Sequence, residues 1–178
     1  MKKLVFLFSF LFFASILYAQ NGVYGIRFGV TKEEAKAVLE NRVGEYKVFD
    51  YGSRISVYDQ AFAGIEFNIL DFNFSWVSGD AFFNSATFQK WFSSSDVDNA
   101  KACRDFLFER IKKKYEYYEE EKNNNGFMCY KFGLNPNDST RVIGMIDLSR
   151  DKGKDEVERL YLVVRYFPFV EELAEYDL

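Results

Sequence analysis

The sequence of 178 residues contains no histidine. Histidine supplies the general base of Ser-His-Asp and Cys-His catalysis, a frequent ligand of zinc and haem iron, and the usual side chain that titrates near neutral pH. These chemistries are therefore excluded. The length suits one domain of ordinary size or two small units fused into one. A composition of 48% hydrophobic and 28% charged residues predicts a packed core.

The mature part of the sequence also lacks a long apolar run, because the one such run lies at the amino terminus. Lys2 and Lys3 precede an almost unbroken apolar stretch at residues 4–17, and a cleavage site follows Ala19. This is the pattern of a secretory signal peptide. A run of 14 residues is shorter than the roughly 20 that span a bilayer. We therefore predict a signal peptide at 1–19, a single domain at 20–178, and a periplasmic or secreted location.

The predicted mature chain has an acidic balance. Removing Lys2 and Lys3 takes the formal net charge from −4 to −6, whereas affinity for nucleic acid comes mostly from Lys and Arg that neutralise phosphates. The basic cluster at 112–114 is followed by an acidic run, and cations are favoured near the carboxyl end of a helix. We expect no nucleic-acid partner, no transmembrane segment in the mature chain and, without a cysteine near the cleavage site, no lipid anchor.

The sequence has two cysteines, Cys103 and Cys129. In an oxidising compartment they could form one disulfide, which would close a loop of about 26 residues and stabilise the fold by roughly 3 kcal/mol. The alternative is that both are ordinary unpaired thiols, because free cysteine is a common buried residue. A nucleophilic role is not expected, since no histidine is present to activate a thiol.

Two helices are predicted. Thr31 and Glu34 form a capping box, Ala35, Val38 and Leu39 mark an apolar face, and Gly44 suits the left-handed position that ends a helix. The second helix is predicted to begin at Ser95 or Asp96 and to end near Tyr115. Its apolar positions recur at helical spacing, with Phe106 beside them: Ala100, Cys103, Leu107 and Ile111.

The segments after each helix are rich in aromatic and β-branched residues, which favours strands. Between 62 and 76 the apolar side chains change from odd to even positions near Leu70, which predicts a bulge or a bend. The predicted strands occupy residues 46–51, 54–58, 62–76, 81–92, 127–132, 141–148 and 157–167.

The order of these elements indicates an internal duplication of residues 22–92 and 95–167. Residues 80–92 align with 155–167 at an offset of 75, with Asp80 matched to Asp155 and Phe92 to Phe167. The predicted fold class is α+β. Two helix-plus-antiparallel-meander units would form one layered sheet with the helices on one side.

The segment at 25–35 combines a short strand flanked by Gly25 and Gly29 with the capped helix that Thr31 begins. It resembles the opening of β-lactamase-inhibitor-protein-like domains, and a similar opening occurs in the small lipoprotein of the outer-membrane assembly machine. The resemblance implies helices on an antiparallel sheet, in tandem, and a binding role for an aromatic-rich sheet face. It assigns no individual binding residue.

Motifs for bound cofactors are missing. The glycines at 25 and 29 lack the spacing and the lysine of a phosphate loop. Asp147, Asp151 and Asp155 are spaced by four residues, whereas a calcium loop needs oxygen ligands at alternating positions. We expect no cofactor, no metal and no enzymatic activity. One enzymatic alternative stays open, because a hydrolase can work with two carboxylates alone.

Aromatic residues are abundant, with 16 Phe, 11 Tyr and 2 Trp outside the signal peptide. Most belong to the core or to ordinary surface, but Tyr and Trp are also enriched in binding interfaces. The candidate interface residues are Tyr58, Trp76, Trp91 and Tyr166. The sequence thus favours an exported, non-enzymatic binding or interaction protein of the bacterial cell envelope, whose partner is a protein rather than a glycan or lipid. An outer-membrane assembly or structural factor is the other alternative.

Overall fold

A computed structural model gives the structure of the chain and describes residues 22–115, 118–133, 142–152 and 156–167. The predicted signal peptide lies outside these residues. The described part contains the helices α1 (Lys32–Val43) and α2 (Val97–Ile111) and ten strands. The strands are β1 (Gly22–Val23), β2 (Ile26–Arg27), β3 (Val48–Asp50), β4 (Arg54–Phe62), β5 (Ile65–Val77), β6 (Asp80–Ser93), β7 (Tyr118–Lys122), β8 (Met128–Phe132), β9 (Gly144–Lys152) and β10 (Glu158–Tyr166).

Eight of these strands form one sheet in the order β3-β4-β5-β6-β10-β9-β8-β7, and all neighbours in it are antiparallel. Strands β1 and β2 form a separate two-stranded hairpin. Each of the two helices precedes a series of four strands that follow one another in the sheet. The predicted α+β class with a large antiparallel sheet is confirmed.

Helix α1 has the predicted capping box. The Thr31 hydroxyl accepts a hydrogen bond from the Glu34 amide at 3.3 Å, and the Glu34 carboxylate accepts one from the Thr31 amide at 3.0 Å. Gly44 ends the helix with a φ of 93°, a conformation that other residues rarely adopt. Ala35 and Leu39 are fully buried, but Val38 is 38% exposed and does not belong to the packed face.

Helix α2 begins at Val97, one residue after the later of the two predicted starts, and ends at Ile111, four residues before the predicted end. The lysines at 112–114 form a turn that follows it. Its buried side chains include Arg104 and Phe108, whereas Phe106 is 43% exposed. The buried side of α2 therefore includes Arg104 and Phe108 but not Phe106, so it differs from the side that the spacing of apolar residues predicts.

One hydrophobic core lies between the helices and one side of the sheet. Because side chains alternate along a strand, the paired residues Leu70, Phe88 and Val164 point to the same side. That side packs against Ala35 of α1 and Leu107 of α2, which are fully buried. The opposite side of the sheet carries no described helix.

The predicted change of side-chain alternation in β5 is confirmed. Ile65 and Phe67 are buried at odd positions, whereas Leu70 and Phe72 are buried at even ones. Between them, Asn68 lies opposite Asp59 of β4, whose φ is 51° and which forms no ladder pair. This one unpaired position reverses the alternation in β4 and β5. The side chains of Ile65, Phe67, Leu70 and Phe72 therefore all reach the core.

The proposed alignment of residues 80–92 with 155–167 is not compatible with the sheet. An offset of 75 matches Phe88 with Val163, but Phe88 pairs with Val164 and shares its side of the sheet. Val163 therefore points to the opposite side. Equivalent strands of a duplicated fold must match core positions with core positions, and for residues 85–92 of β6 this requires an even offset because side chains alternate with a period of two.

Candidate binding surface

The side of the sheet that faces away from the helices is the candidate functional surface, and we call it the open face. One row of its side chains crosses all eight strands through successive pairs. In spatial order the row consists of Phe49, Ser56, Asp71, Thr87, Arg165, Met145, Lys131 and Glu119.

Strands β3 and β4 build an aromatic cluster at one end of the open face. The Tyr58 hydroxyl lies 3.3 Å from the Tyr51 hydroxyl, and the Tyr58 ring meets the Phe49 ring edge-on at 5.3 Å. The hydrogen bond with Tyr51, followed by burial, raises the pKa of Tyr58. The Arg54 guanidinium lies 5.3 Å from the Tyr51 ring centre.

A buried carboxylate lies beside this cluster. Asp71 is 5% exposed and accepts a hydrogen bond of 2.6 Å from the Ser56 hydroxyl, which is itself fully buried. Arg54 forms an ion pair with the same carboxylate, with 3.5 Å between Nε and Oδ1. That Nε is buried and forms no hydrogen bond with any described residue. The ion pair with Asp71 and the contact with the Tyr51 ring thus hold the Arg54 side chain. These two contacts do not involve hydrogen bonds from its terminal nitrogens.

The centre of the open face is formed by β6 and β10. Trp91 is 44% exposed and pairs directly with Tyr161 across the two strands. The Asn68 side chain accepts a hydrogen bond of 2.8 Å from the Trp91 amide and so replaces the missing ladder bond to β5. Arg165 is half-buried, and among described residues its hydrogen bond is to the Met145 sulfur at 3.7 Å. The centre therefore presents an indole, a phenol and a guanidinium.

The other end of the open face is acidic. Lys131 lies between Glu119 and Glu121 of β7, with nitrogen–oxygen distances of 3.5 and 3.0 Å. The hydrogen bond to Glu121 raises the pKa of Lys131. Asp147 accepts a hydrogen bond of 2.6 Å from the Asn123 side chain, which fixes the turn between β7 and β8. This end is a set of mutually paired charges.

The predicted interface residues occupy three different environments. Tyr58 and Trp91 both lie on the open face, on β4 and β6. Trp76 is 64% exposed, but it lies at the β5–β6 hairpin and pairs with the buried Ala81, so it belongs to the other side of the sheet. Tyr166 is 5% exposed and packs among Phe62, Phe88 and Phe132. Tyr166 is therefore a core residue and not part of a surface.

Of the two alternatives for Cys103 and Cys129, the structure shows the unpaired one, and both thiols are free. Cys103 lies on α2, which covers one side of the sheet. Cys129 pairs with Glu121 and points to the open face, since its neighbours Tyr130 and Phe132 are in the core. The sheet separates the two sulfurs. Burial, with smaller contributions from Asp147 and Glu121, raises the pKa of Cys129 to about 11.

Carboxylate geometry bears on the hydrolase alternative. Asp71 on β5 and Asp147 on β9 are separated by three strand spacings, or ~14 Å, whereas Glu119 and Glu121 are close together and both pair with Lys131. Catalytic pairs in glycosidases lie ~5–10 Å apart. The described residues also contain no group of three Cys, Asp or Glu side chains that could hold a metal ion. Asp155 of the aspartate series lies outside the described residues.

No known protein family, curated protein or solved structure showed a significant match to the chain. The resemblance to β-lactamase-inhibitor-protein-like domains consequently remains a prediction. Neither described helix is long and apolar enough to cross a membrane.

Proposed function

We propose that the chain is an exported, non-enzymatic binding protein of the bacterial cell envelope, and that its open face binds a partner protein. The observation that carries this proposal is the composition of that face at its centre. Trp91, Tyr161 and Arg165 stand on the strands β6 and β10, with no described helix over them. Trp, Tyr and Arg are the residues most enriched among those that dominate binding energy in protein interfaces.

The size of the open face favours a protein over a glycan or a lipid headgroup. Seven spacings of ~4.8 Å make the sheet ~34 Å wide, and the β6–β10 ladder makes it ~26 Å long at the centre. These dimensions are comparable with the ~800 Å² that each partner contributes to a standard protein–protein interface.

The two ends of the open face differ in charge. The aromatic cluster with Arg54 lies at the β3–β4 end, and the carboxylates of Glu119 and Glu121 lie at the β7 end. A partner with the complementary order of charges would bind in one orientation, because like charges placed together disfavour the reverse one.

We further propose that the fold is a tandem of two helix-plus-meander units, as in β-lactamase-inhibitor-protein-like domains. The strand order supports this. The last strand of each series, β6 and β10, meet at the centre of the sheet, and the first strands, β3 and β7, lie at its edges. Superposing residues 32–93 on 97–166 tests the duplication. Failure of α1 and four strands to align with α2 and four strands would exclude it.

The binding proposal is tested by capture from envelope extracts with immobilised protein of residues 20–178. Two matched variants, Trp91→Ala and Trp76→Ala, each remove one exposed indole, the first from the open face and the second from the other side. We expect Trp91→Ala to weaken capture of the partner about 30-fold, which corresponds to the ~2 kcal/mol of a dominant interface residue.

Trp76→Ala should bind as the unchanged protein does. Equal losses in the two variants, or a loss in Trp76→Ala alone, would exclude the open face as the binding surface. Thermal unfolding of both variants shows whether each retains the fold before binding is compared.

A further inference from the structure

A cavity of about 370 Å³ lies on the helix side of the sheet, away from the open face. It is enclosed by the β1–β2 hairpin, by Phe62 of β4, by Lys114 after α2 and by Tyr166 at the end of β10. This volume falls within the ~300–1,000 Å³ of small-molecule sites in proteins.

The hairpin makes a fixed wall for the cavity. Tyr24 and Gly25 have φ values of 57° and 83°, which close a tight two-residue turn. The buried Tyr24 ring packs on Phe72 and Phe88, and Arg42 lies 3.8 Å above it while donating a hydrogen bond to the Tyr24 carbonyl. A side chain at Gly22 would collide with the carbonyl of Ile26, so this position of the hairpin accommodates only glycine. The contacts of Tyr24 and Arg42 thus hold the hairpin wall of the cavity in place.

A tyrosine whose hydroxyl has no partner among the described residues lines this cavity. The side chain of Tyr166 is 95% buried by its neighbours, and its hydroxyl forms no hydrogen bond with any described residue. A tyrosine hydroxyl without a protein partner is normally satisfied by a solvent molecule or a ligand. Burial raises the pKa of Tyr166, with a smaller contribution from Tyr115, so the hydroxyl keeps its proton and can donate it.

The charged residues around the cavity are all cationic. Arg27 and Lys114 line it, and no carboxylate does. Neither cation forms an ion pair with a described carboxylate; Lys114 lies 5.3 Å from the Tyr115 ring. The remaining walls are apolar, with Val23, Ile26 and Phe62 among them. The lining thus combines two cations, one hydroxyl donor and an apolar surface.

We propose that this cavity binds a small organic anion, a carboxylate joined to a compact apolar group. The carboxylate accepts a hydrogen bond from Tyr166 and is neutralised by Lys114 and Arg27. The apolar group packs on Phe62 and the hairpin. This site is separate from the open face, and anion binding there does not depend on the proposed protein-binding function.

Calorimetric titration of the protein with benzoate tests the site, with benzamide as the neutral probe of the same shape. We expect saturable binding of benzoate and at least ten-fold weaker binding of benzamide, since the amide forfeits both the charge and its pairing with the cations. Tyr166→Phe, which removes only the hydroxyl, should weaken benzoate binding about ten-fold. Lys114→Gln should weaken it several-fold, and more at low salt.

The matched control is Lys113→Gln, an exposed lysine of the same turn that does not line the cavity. Its affinity for benzoate should equal that of the unchanged protein. The proposal is overturned if benzoate shows no saturable binding up to its solubility limit, if benzamide binds as tightly, or if Lys113→Gln and Lys114→Gln lose affinity equally. Should Tyr166→Phe fail to fold, the two surface lysine variants decide the outcome.

Discussion

Replacing Phe88 with alanine should destabilise the fold by about 4 kcal/mol. Phe88 is fully buried in β6, at the centre of the sheet. Its ring lies between 4.8 and 6.2 Å from five other rings, those of Tyr24, Phe62, Phe67, Phe72 and Tyr166. Removal of a buried phenylalanine costs ~3–5 kcal/mol, and with five aromatic contacts this site should not fall below the middle of that range.

The measurement is urea unfolding followed by the fluorescence of Trp76 and Trp91. With a denaturant dependence of ~2 kcal/mol per molar urea, a loss of ~4 kcal/mol lowers the midpoint by ~2 M. Phe106→Ala is the matched control, because it removes the same side chain from an exposed position on α2. We expect that control to lose less than ~1 kcal/mol, part of it from the Arg110 guanidinium that lies 4.7 Å from the ring.

A loss below ~1.5 kcal/mol in Phe88→Ala, or equal losses in the two variants, would refute a core centred on this ring. If Phe88→Ala does not fold at all, Phe88→Leu gives the comparison. That variant retains most of the volume and should fall between the control and the expected alanine value.

Two further predictions concern the thiols and the cap of α1. Without reductant, a thiol-specific reagent should count two free thiols per unfolded chain, and in the native protein Cys103 should react well before Cys129. Cys129 is 2% exposed, and its pKa of about 11 leaves roughly one thiolate in a thousand at pH 8. A count of zero would show that the two cysteines form a disulfide. Loss of the fast reaction in Cys103→Ser would assign that reaction to Cys103. Thr31→Ala should lower the free energy of unfolding by ~1 kcal/mol, because it removes the hydroxyl that accepts from Glu34. Thr31→Ser keeps that hydroxyl, and equal losses in both variants would show that the cap does not stabilise the helix.

The local signals in the sequence predicted most of the secondary structure. The capping box at Thr31 and Glu34 and the glycine at 44 mark α1 because they satisfy backbone groups within a few residues. The change of alternation near Leu70 was also visible, because it is a pattern among residues that are neighbours in the sequence. By contrast, β7 has five exposed residues and no apolar alternation, so its acidic sequence does not indicate a strand. Only pairing with β8 makes it one.

Predictions about the binding surface depended on which side of the sheet each residue occupies. Tyr166 shares its alternation with Leu160, Leu162 and Val164, and this signal alone would have placed it in the core. Trp76 shares its alternation with Leu70 and Phe72, so the same signal would have placed it on the helix side, where its position near the hairpin leaves it exposed. Arg54 was missed because its contact with Asp71 depends on the pairing of β4 with β5. Such a contact has no counterpart in the local sequence.

The position of β10 imposes an order on the assembly of the sheet during synthesis. This strand, Glu158–Tyr166, comes last among the described elements and yet lies in the middle of the eight-stranded sheet. Until it has been made, residues 86–93 of β6 have unpaired backbone groups on one side, and strands β7–β9 have no neighbour to join them to β6. A growing chain thus exposes an edge rich in phenylalanine, the kind of edge that recruits other chains. Completion of the sheet therefore has to wait for residues 158–166, and truncated chains that lack them should depend on a chaperone to stay unaggregated.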